Sequence, residues 1–506
     1  MSSTKQAKGA PVAEGDSIAV TNPVTGEVIA TVANTSREDV AAAVERAREA
    51  QRIWGELTVY ERTRYVRRWG DLLWQDRDNA ICTIRQETGK NDSGALAEIL
   101  LVDSSLNYYV QHAERLLSPQ NRPAAIPAIM RGRLYYKPYG VAGFISPWNY
   151  PFLLAVTDAI PALIAGNTVV IKPSDITPLS ALYAADLFQR VGLPPDVLQI
   201  VTGDGETGAA LVDYVDTISF TGSTAVGRKV AARAGERLIP CTLELGGKDA
   251  MIVLADADLD LAAATVFTGG LENAGQACVS IERVYVEAPI YDRFVERVRV
   301  LSVDFNVGNH GGLDVHMGSL NNLRELERAE TFVQDALDKG AQLIAGGQRR
   351  PDLGPLFYEP AILANVNHEM RVMNEETFGP VMPIMKVADA AEAVRLANAS
   401  EYGLSGAIYS RNLDRAEQLA RSLNTGDVTV NRTNAVAGSP ALPWGGQKHS
   451  GLGRRGGPEG LLRFVSTQSI VVDTMVGSKP SLIPLDPLTL GLLKGLHWVR
   501  RFVPFI

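Results

Sequence analysis

Five short apolar runs recur between residues 141 and 245, at Val141–Ile145, Thr168–Ile171, Val197–Val201, Thr217–Phe220 and Thr242–Leu245. Helical patterns fill the gaps, near 152–165, 179–191, 207–213 and 225–235. Runs this short and this apolar are buried on both faces, and successive parallel strands need a crossover helix between them. The alternation therefore requires a parallel sheet with helices on both sides. Ligands of such sheets bind at the carboxyl ends of the strands, so the loops after these runs are where chemistry is sought.

A second alternation spans Asp249 to Asn431. Its strands are expected at Met251–Leu254, Arg283–Glu287, Gln342–Ala345, Val381–Val387, Ala407–Tyr409 and Val428–Asn431. Helices are expected near 258–274, 290–303, 321–339, 389–399 and 412–424, which makes a second α/β unit. Upstream, Thr21–Val32 reads as a hairpin punctuated by Pro23 and Gly26, and Thr58–Leu117 as long amphipathic helices. Residues 131–139 read as extended chain leaving the body. A length of 506 residues allows about three compact units.

Charge and cysteine usage exclude several classes. The 49 basic and 57 acidic residues give a net charge of −8. A nucleic-acid binder of the bulk electrostatic kind would need a basic face. Three cysteines, Cys82, Cys241 and Cys278, show no CxxC spacing, so neither a disulfide framework nor a metal site is expected, and a reducing, cytoplasmic compartment fits. Cys82 and Cys241 sit in apolar runs and are expected to be buried. Residues 1–17 are small and polar and read as a disordered arm without a signal peptide.

The strand-end loops are rich in polar side chains. Ser146-Pro-Trp-Asn-Tyr-Pro151 follows the first run, Lys172-Pro-Ser-Asp175 the second, Gly222-Ser-Thr-Ala-Val-Gly227 the fourth and Glu244-Leu-Gly-Gly-Lys248 the fifth. The small-residue turn at Gly222 and Ser223 opens a helix, whose free N–H groups favour a phosphate. Cys278 follows Gly275 and Gln276 in a bend. Glu244 is a carboxylate in an otherwise apolar strand, costly unless it is hydrogen-bonded or functional.

These segments, together with Glu376-Thr-Phe-Gly-Pro and Trp444-Gly-Gly-Gln-Lys-His-Ser-Gly, occur in an order that resembles the aldehyde dehydrogenase superfamily. The likeness runs from about Thr21 to Val471. Ile281-Glu-Arg-Val-Tyr-Val286 looks closest to bacterial succinate-semialdehyde dehydrogenases. The resemblance implies two doubly wound parallel-sheet domains plus a small β oligomerisation extension. Residues 18–120 and 139–246 would form a Rossmann-like dinucleotide-binding domain, 247–445 the catalytic domain, and 121–138 with 464–480 the oligomerisation strands of a homodimer or homotetramer.

The resemblance also implies roles. Cys278 would attack the aldehyde and pass through a thiohemiacetal and a thioester. Asn149 and the Cys278 backbone N–H would stabilise the oxyanion. Glu244 would activate the hydrolytic water. Ile145 and Trp148 would line the cofactor cleft. Lys172, with Ser174 beside it, would reach the adenosine ribose, and Gly222 and Ser223 the pyrophosphate. Glu376 and Phe378 would flank the nicotinamide ribose. Asp175 stands where the family often has glutamate; a carboxylate there accepts from a ribose 2′-OH and repels a 2′-phosphate, so NAD is favoured and NADP is possible.

Three departures from the family pattern stand out: Trp444 for phenylalanine, Arg455 for glutamate, and Ser280 where some relatives carry a second cysteine. Succinic semialdehyde is the favoured substrate, with Arg283 and Arg432 the candidate cations for its carboxylate. The alternatives are medium-chain or aromatic aldehydes in an apolar tunnel of Tyr108, Trp148, Tyr150 and Trp444, or a cofactor-independent thioester or ester hydrolase. Residues 481–506 form an amphipathic extension with Lys494, Arg500 and Arg501. It is too short to span a bilayer and is suited to docking on the enzyme or to peripheral membrane contact.

Overall fold

The computed structural model describes residues 17–125, 130–474 and 487–501. Its first sheet has six strands. In spatial order they are Gly451–Leu452, Cys241–Glu244, Thr217–Thr221, Val141–Ile145, Thr168–Lys172 and Leu198–Ile200. The last five are mutually parallel, and Gly451–Leu452 closes one edge antiparallel to Cys241–Glu244. The chain starts in the middle at Val141–Ile145, builds outward to Leu198–Ile200, then crosses back to lay Thr217–Thr221 on the other flank. The direction of winding thus reverses between two strands whose ends are level, Ile145 lying opposite Phe220. Loops diverge at such a point and leave a crevice.

The five expected runs form these strands with end shifts of about a residue. The helix expected at 152–165 is instead two, Pro151–Val156 and Ala159–Ala165. Pro161 has no N–H to donate, so it is accommodated in the first turn of a new helix and not inside a continuous one.

The second sheet runs Gln342–Ala345, Ala361–Ala364, Val381–Val387, Ile281–Glu287, Asp249–Val253, Gly406–Tyr409 and Thr429–Val430, parallel except for the first pair. Ala361–Ala364 was absent from the sequence reading: four residues behind a proline are too few to show a period.

Met130–Pro138 pairs antiparallel with Val465–Asp473 along its whole length and with Gln120–Arg122 on its other side. The two extended segments expected to pair between subunits therefore pair with each other. Val465–Asp473 is left as an edge, with Ile470, Val471 and Val472 exposed.

Four helices, Arg37–Trp54, Val59–Gln75, Arg77–Thr88 and Asp92–Leu117, cover the first sheet. Trp69 stacks on Phe188 and Phe152 with centroids 4.6 and 6.1 Å away, and its indole N–H donates to the Ala184 carbonyl at 3.0 Å. This packing fixes helix Pro151–Val156 and, with it, the loop that precedes it. Two cysteines depart from expectation. Cys82 is exposed and Cys241 half-buried, because the first lies on the outer face of its helix and the second at a strand start.

The arm expected at 1–17 lies outside the described residues except for Ser17, which begins the strand Ser17–Thr21 of the N-terminal hairpin. The C-terminal extension contains a helix at Pro487–Arg500 with Leu490, Leu493 and Trp498 exposed. Among the described residues no helix is long and apolar enough to cross a membrane.

Candidate active site

A crevice of about 950 Å³ opens where the winding reverses. Ile145, Ser146, Trp148 and Asn149 line it from the first strand end, Lys172, Ser174 and Asp175 from the second, and Gly222 and Ser223 from the fourth. Cys278, Glu376 and Phe378 reach it from the second sheet. The structure thus gathers residues scattered over more than two hundred positions of sequence onto one wall.

The thiol is presented by a strained bend. Asn273, Ala274 and Gly275 have φ of 50°, 56° and 71°, three successive left-handed residues. Non-glycine residues in that region cost on the order of 1–3 kcal/mol each and persist only when their surroundings hold them. A Cβ at Gly275 would lie 2.2 Å from the Gly379 carbonyl oxygen, so only glycine fits. The bend is held by Gln276, which donates to the Asn273 carbonyl at 2.9 Å and accepts from the Asn321 N–H at 2.9 Å.

Asn149 is laced to the same bend. Its amide donates to the Gln276 carbonyl at 2.9 Å, and its own carbonyl accepts from Asn273 Nδ2 at 3.0 Å and Lys90 Nζ at 2.8 Å. The Asn149 amide makes one side-chain hydrogen bond among the described residues, and Asn149 lines the same crevice as the half-buried Cys278. Burial pushes the Cys278 thiol up to about 12, with the Glu244, Asp249 and Glu376 carboxylates adding to the rise. The resting thiol is therefore protonated.

Glu244 lies behind the crevice wall, which is formed at that point by Leu245 and Gly246. It is buried, and its Oε1 has no hydrogen-bond partner among the described residues. Burial raises its pKa to about 8, against the pull of Arg455. Gly445 gives that oxygen room, since a Cβ there would come within 2.6 Å of it. Arg455 is buried, donating to Asp158 at 3.0 Å and to Thr221 Oγ1 at 2.5 Å. Asp158 also takes Arg463 at 2.5 Å and Ser219 at 2.9 Å. The departures at 444 and 455 are coupled: the two backbones exchange hydrogen bonds of 2.8 and 2.7 Å, and the Arg455 guanidinium lies 5.5 Å over the Trp444 ring. Ser280 is buried and donates to the Gly270 carbonyl at 2.8 Å.

The other wall suits an anionic, ribose-bearing ligand. Lys172 is buried and burial lowers its pKa, yet its ammonium has no hydrogen-bond partner among the described residues. Ser223 caps helix Thr224–Glu236, whose N-terminus faces the crevice. Glu376 accepts the Gly247 N–H at 2.9 Å and is pushed up to about 7 by burial and by Glu282. Trp148 packs edge-on against Phe378 with centroids 5.5 Å apart. Trp148 therefore belongs to this crevice and not to a tunnel with Tyr108, Tyr150 and Trp444.

Two expected substrate cations are elsewhere. Arg283 is buried in strand Ile281–Glu287, where its guanidinium donates to the carbonyls of Lys248, Leu396 and Ala397 and to the Tyr285 hydroxyl. Two of those carbonyls end helix Ala390–Asn398, a position that attracts cations. Its donors are satisfied away from the thiol. Arg432 is exposed beyond strand Thr429–Val430 and does not line the crevice. Lys90 and Glu98 carry little signal in the sequence, one charge before and one within helix Asp92–Leu117, and Glu272 carries none.

A thiol, a buried carboxylate and an amide donor thus converge on a crevice at the carboxyl ends of a parallel sheet. Residues 12–470 match the aldehyde dehydrogenase family. The chain is 43% identical over 484 residues to "Putative succinate-semialdehyde dehydrogenase (NADP(+)) 2" of Mycobacterium ulcerans, covering 95% of this chain and 92% of that one. It is 39% identical over 452 residues to "4,4'-diapolycopene aldehyde oxidase" of Methylomonas sp., covering 88% and 84%. Its fold superposes on a crystal structure of betaine aldehyde dehydrogenase from Staphylococcus aureus in complex with NAD+, with a TM-score of 0.88, 31% identity and 95% of both chains covered. The chain belongs to the aldehyde dehydrogenase family and is an NAD(P)-dependent, aldehyde-oxidising oxidoreductase.

Lys90→Met tests what holds the site together. It leaves Glu98 buried without its countercharge, and the expected loss is about 3–5 kcal/mol, read as a lowered urea midpoint. A midpoint equal to that of the parent protein would show that the pair does not hold this region.

Proposed function

We propose that the chain oxidises an aldehyde to its carboxylic acid with Cys278 as nucleophile, Asn149 as oxyanion donor and Glu244 as general base. The observation that carries this reading is that Cys278 and Asn149 line one crevice, while Glu244, whose buried Oε1 has no partner among the described residues, lies near enough to raise the thiol's pKa. Cys278 Sγ adds to the aldehyde carbon as its proton passes, through water, to the Glu244 carboxylate. The Asn149 amide and the Cys278 N–H then face the developing oxyanion. Lys172, Ser223 and Glu376 would hold the dinucleotide, which when bound supplies the hydride acceptor. Glu244 in its carboxylate form takes a proton from the water that cleaves the thioester. A cofactor-independent hydrolase would have no use for the Lys172 ammonium or the Ser223 helix terminus.

Asp175 supports NAD+ as the working cofactor. Its carboxylate is exposed on the crevice wall near Lys172, while two of the nearby cations, Arg37 and Arg233, are both paired with Asp213. The mycobacterial relative's name carries NADP(+), and Lys229, exposed on the same wall, is the residue that could offset the repulsion. The same relative's name makes succinic semialdehyde one substrate reading. The placement of Arg283 and Arg432 favours a second, an aldehyde without a distal carboxylate. The open edge at Val465–Asp473 supports pairing with a second copy of the chain.

Three outcomes follow. Cys278→Ala abolishes formation of reduced nicotinamide, by about a thousandfold or more, with cofactor affinity little changed; retained turnover would move the nucleophile elsewhere. Because Glu244 must be ionised to act and its pKa is raised to about 8, kcat limited by thioester hydrolysis rises between about pH 7 and about pH 9. Glu244→Gln flattens that rise; an unaltered profile would exclude Glu244 as the base. Asp175→Ser improves kcat/KM for NADP+ relative to NAD+ by about tenfold, and an unchanged ratio would remove Asp175 from cofactor choice.

A further inference from the structure

The side of Cys278 away from the crevice holds a carboxylate that the mechanism does not use. Glu272 begins the short helical turn Glu272–Gly275 that leads into the thiol bend. Its Oε1 accepts from the Tyr150 hydroxyl at 3.3 Å and its Oε2 from Asn434 Nδ2 at 3.4 Å. Tyr150 is the next residue after Asn149, and neither Tyr150, Glu272 nor Asn434 lines the dinucleotide crevice. Asn149 is bonded to Asn273 and Gln276 of the bend that carries Cys278, which places Tyr150 and Glu272 in the neighbourhood of the thiol.

The polarity of this neighbourhood is one-sided. Asn434 Oδ1 is buried with no donor among the described residues. Lys90 lies 4.1 Å over the Tyr150 ring and is bound to Glu98 and to the Asn149 carbonyl. The Arg283 guanidinium is taken up by the carbonyls of Lys248, Leu396 and Ala397. An aldehyde entering on this side meets acceptors and an acid. A tail bearing a carboxylate would lose its hydration, gain no free cation and face a like charge. A tail that is apolar, or that donates a hydrogen bond, meets no such opposition.

We propose that Glu272, positioned by Tyr150 and Asn434, is a specificity-determining residue that rejects aldehydes carrying a distal carboxylate, so that the substrate class is aldehydes whose tails bear no anion. The proposal rests on the aldehyde oxidation argued above and narrows it.

The test compares butanal with succinic semialdehyde, which share a four-carbon chain, by formation of reduced nicotinamide in the full-length enzyme. In the parent protein kcat/KM for butanal exceeds that for succinic semialdehyde by about tenfold or more. Glu272→Gln keeps the shape and removes the charge. It raises kcat/KM for succinic semialdehyde about tenfold, chiefly through KM, and changes butanal by less than about threefold. A parent enzyme that prefers succinic semialdehyde overturns the proposal while leaving aldehyde oxidation intact. So does a variant that shifts both substrates equally, or neither. Should the variant fail to fold, the parent ratio alone decides. An enzyme that oxidises neither aldehyde, nor any other of a broad panel, overturns the functional reading itself.

Discussion

The Lys90 ammonium, fully buried, points at Glu98 at 2.5 Å, at the Asn149 carbonyl at 2.8 Å and at the face of Tyr150. Glu98 turns its other oxygen to the N–H groups of Phe152 and Leu153, at 3.1 and 2.9 Å, in the first turn of helix Pro151–Val156. One ion pair thereby holds both ends of the loop that carries Trp148, Asn149 and Tyr150. That loop is in turn bonded to the Asn273–Gln276 bend, so the position of the Cys278 thiol is set from helix Asp92–Leu117 in the other half of the molecule. A buried pair of this kind contributes little net stability over an apolar pair, but breaking it leaves an uncompensated charge. The inference for this protein is that the pair serves geometry.

A second buried network lies next to Glu244. Asp158 pairs with Arg455 and Arg463, and the two guanidiniums hold its carboxyl low even though burial alone would raise it. Arg455 also lowers the pKa of Glu244 and of Cys278. An arginine at 455 in place of the family's frequent glutamate thus puts a cation near Glu244, and Asp158 keeps that cation from being buried unpaired. Asp158 at the start of helix Ala159–Ala165, the turn at Arg455 and Glu244 are thereby tied into one electrostatic unit.

What could be read in the sequence was what is local. Each strand-end motif, from Pro147 to Ser223 and on to Glu376, sits in its own loop, and a parallel sheet brings such loops together whatever the details of packing. The residues misread were those whose side-chain direction depends on tertiary context. Strand Ile281–Glu287 is buried on both faces, so nothing in its pattern shows which face Arg283 takes, and it turned to the end of a neighbouring helix. Trp148 and Tyr150 are two residues apart, yet Trp148 packs against Phe378 on the crevice wall while the Tyr150 hydroxyl donates to Glu272. Lys90, Glu98 and Arg455 were invisible as partners because their pairings join segments far apart in the chain or depend on burial that charge counts cannot show.

The acids around the thiol complete the argument. Glu244 at about 8, Glu376 at about 7 and Asp249 and Glu272 above their ordinary values are all raised first by burial. A cluster of carboxylates near one sulfur would repel a thiolate strongly if all were ionised, and Cys278 at about 12 records that repulsion together with its own burial. A positive charge brought into the crevice would favour the ionised forms of the thiol and of the carboxylates alike.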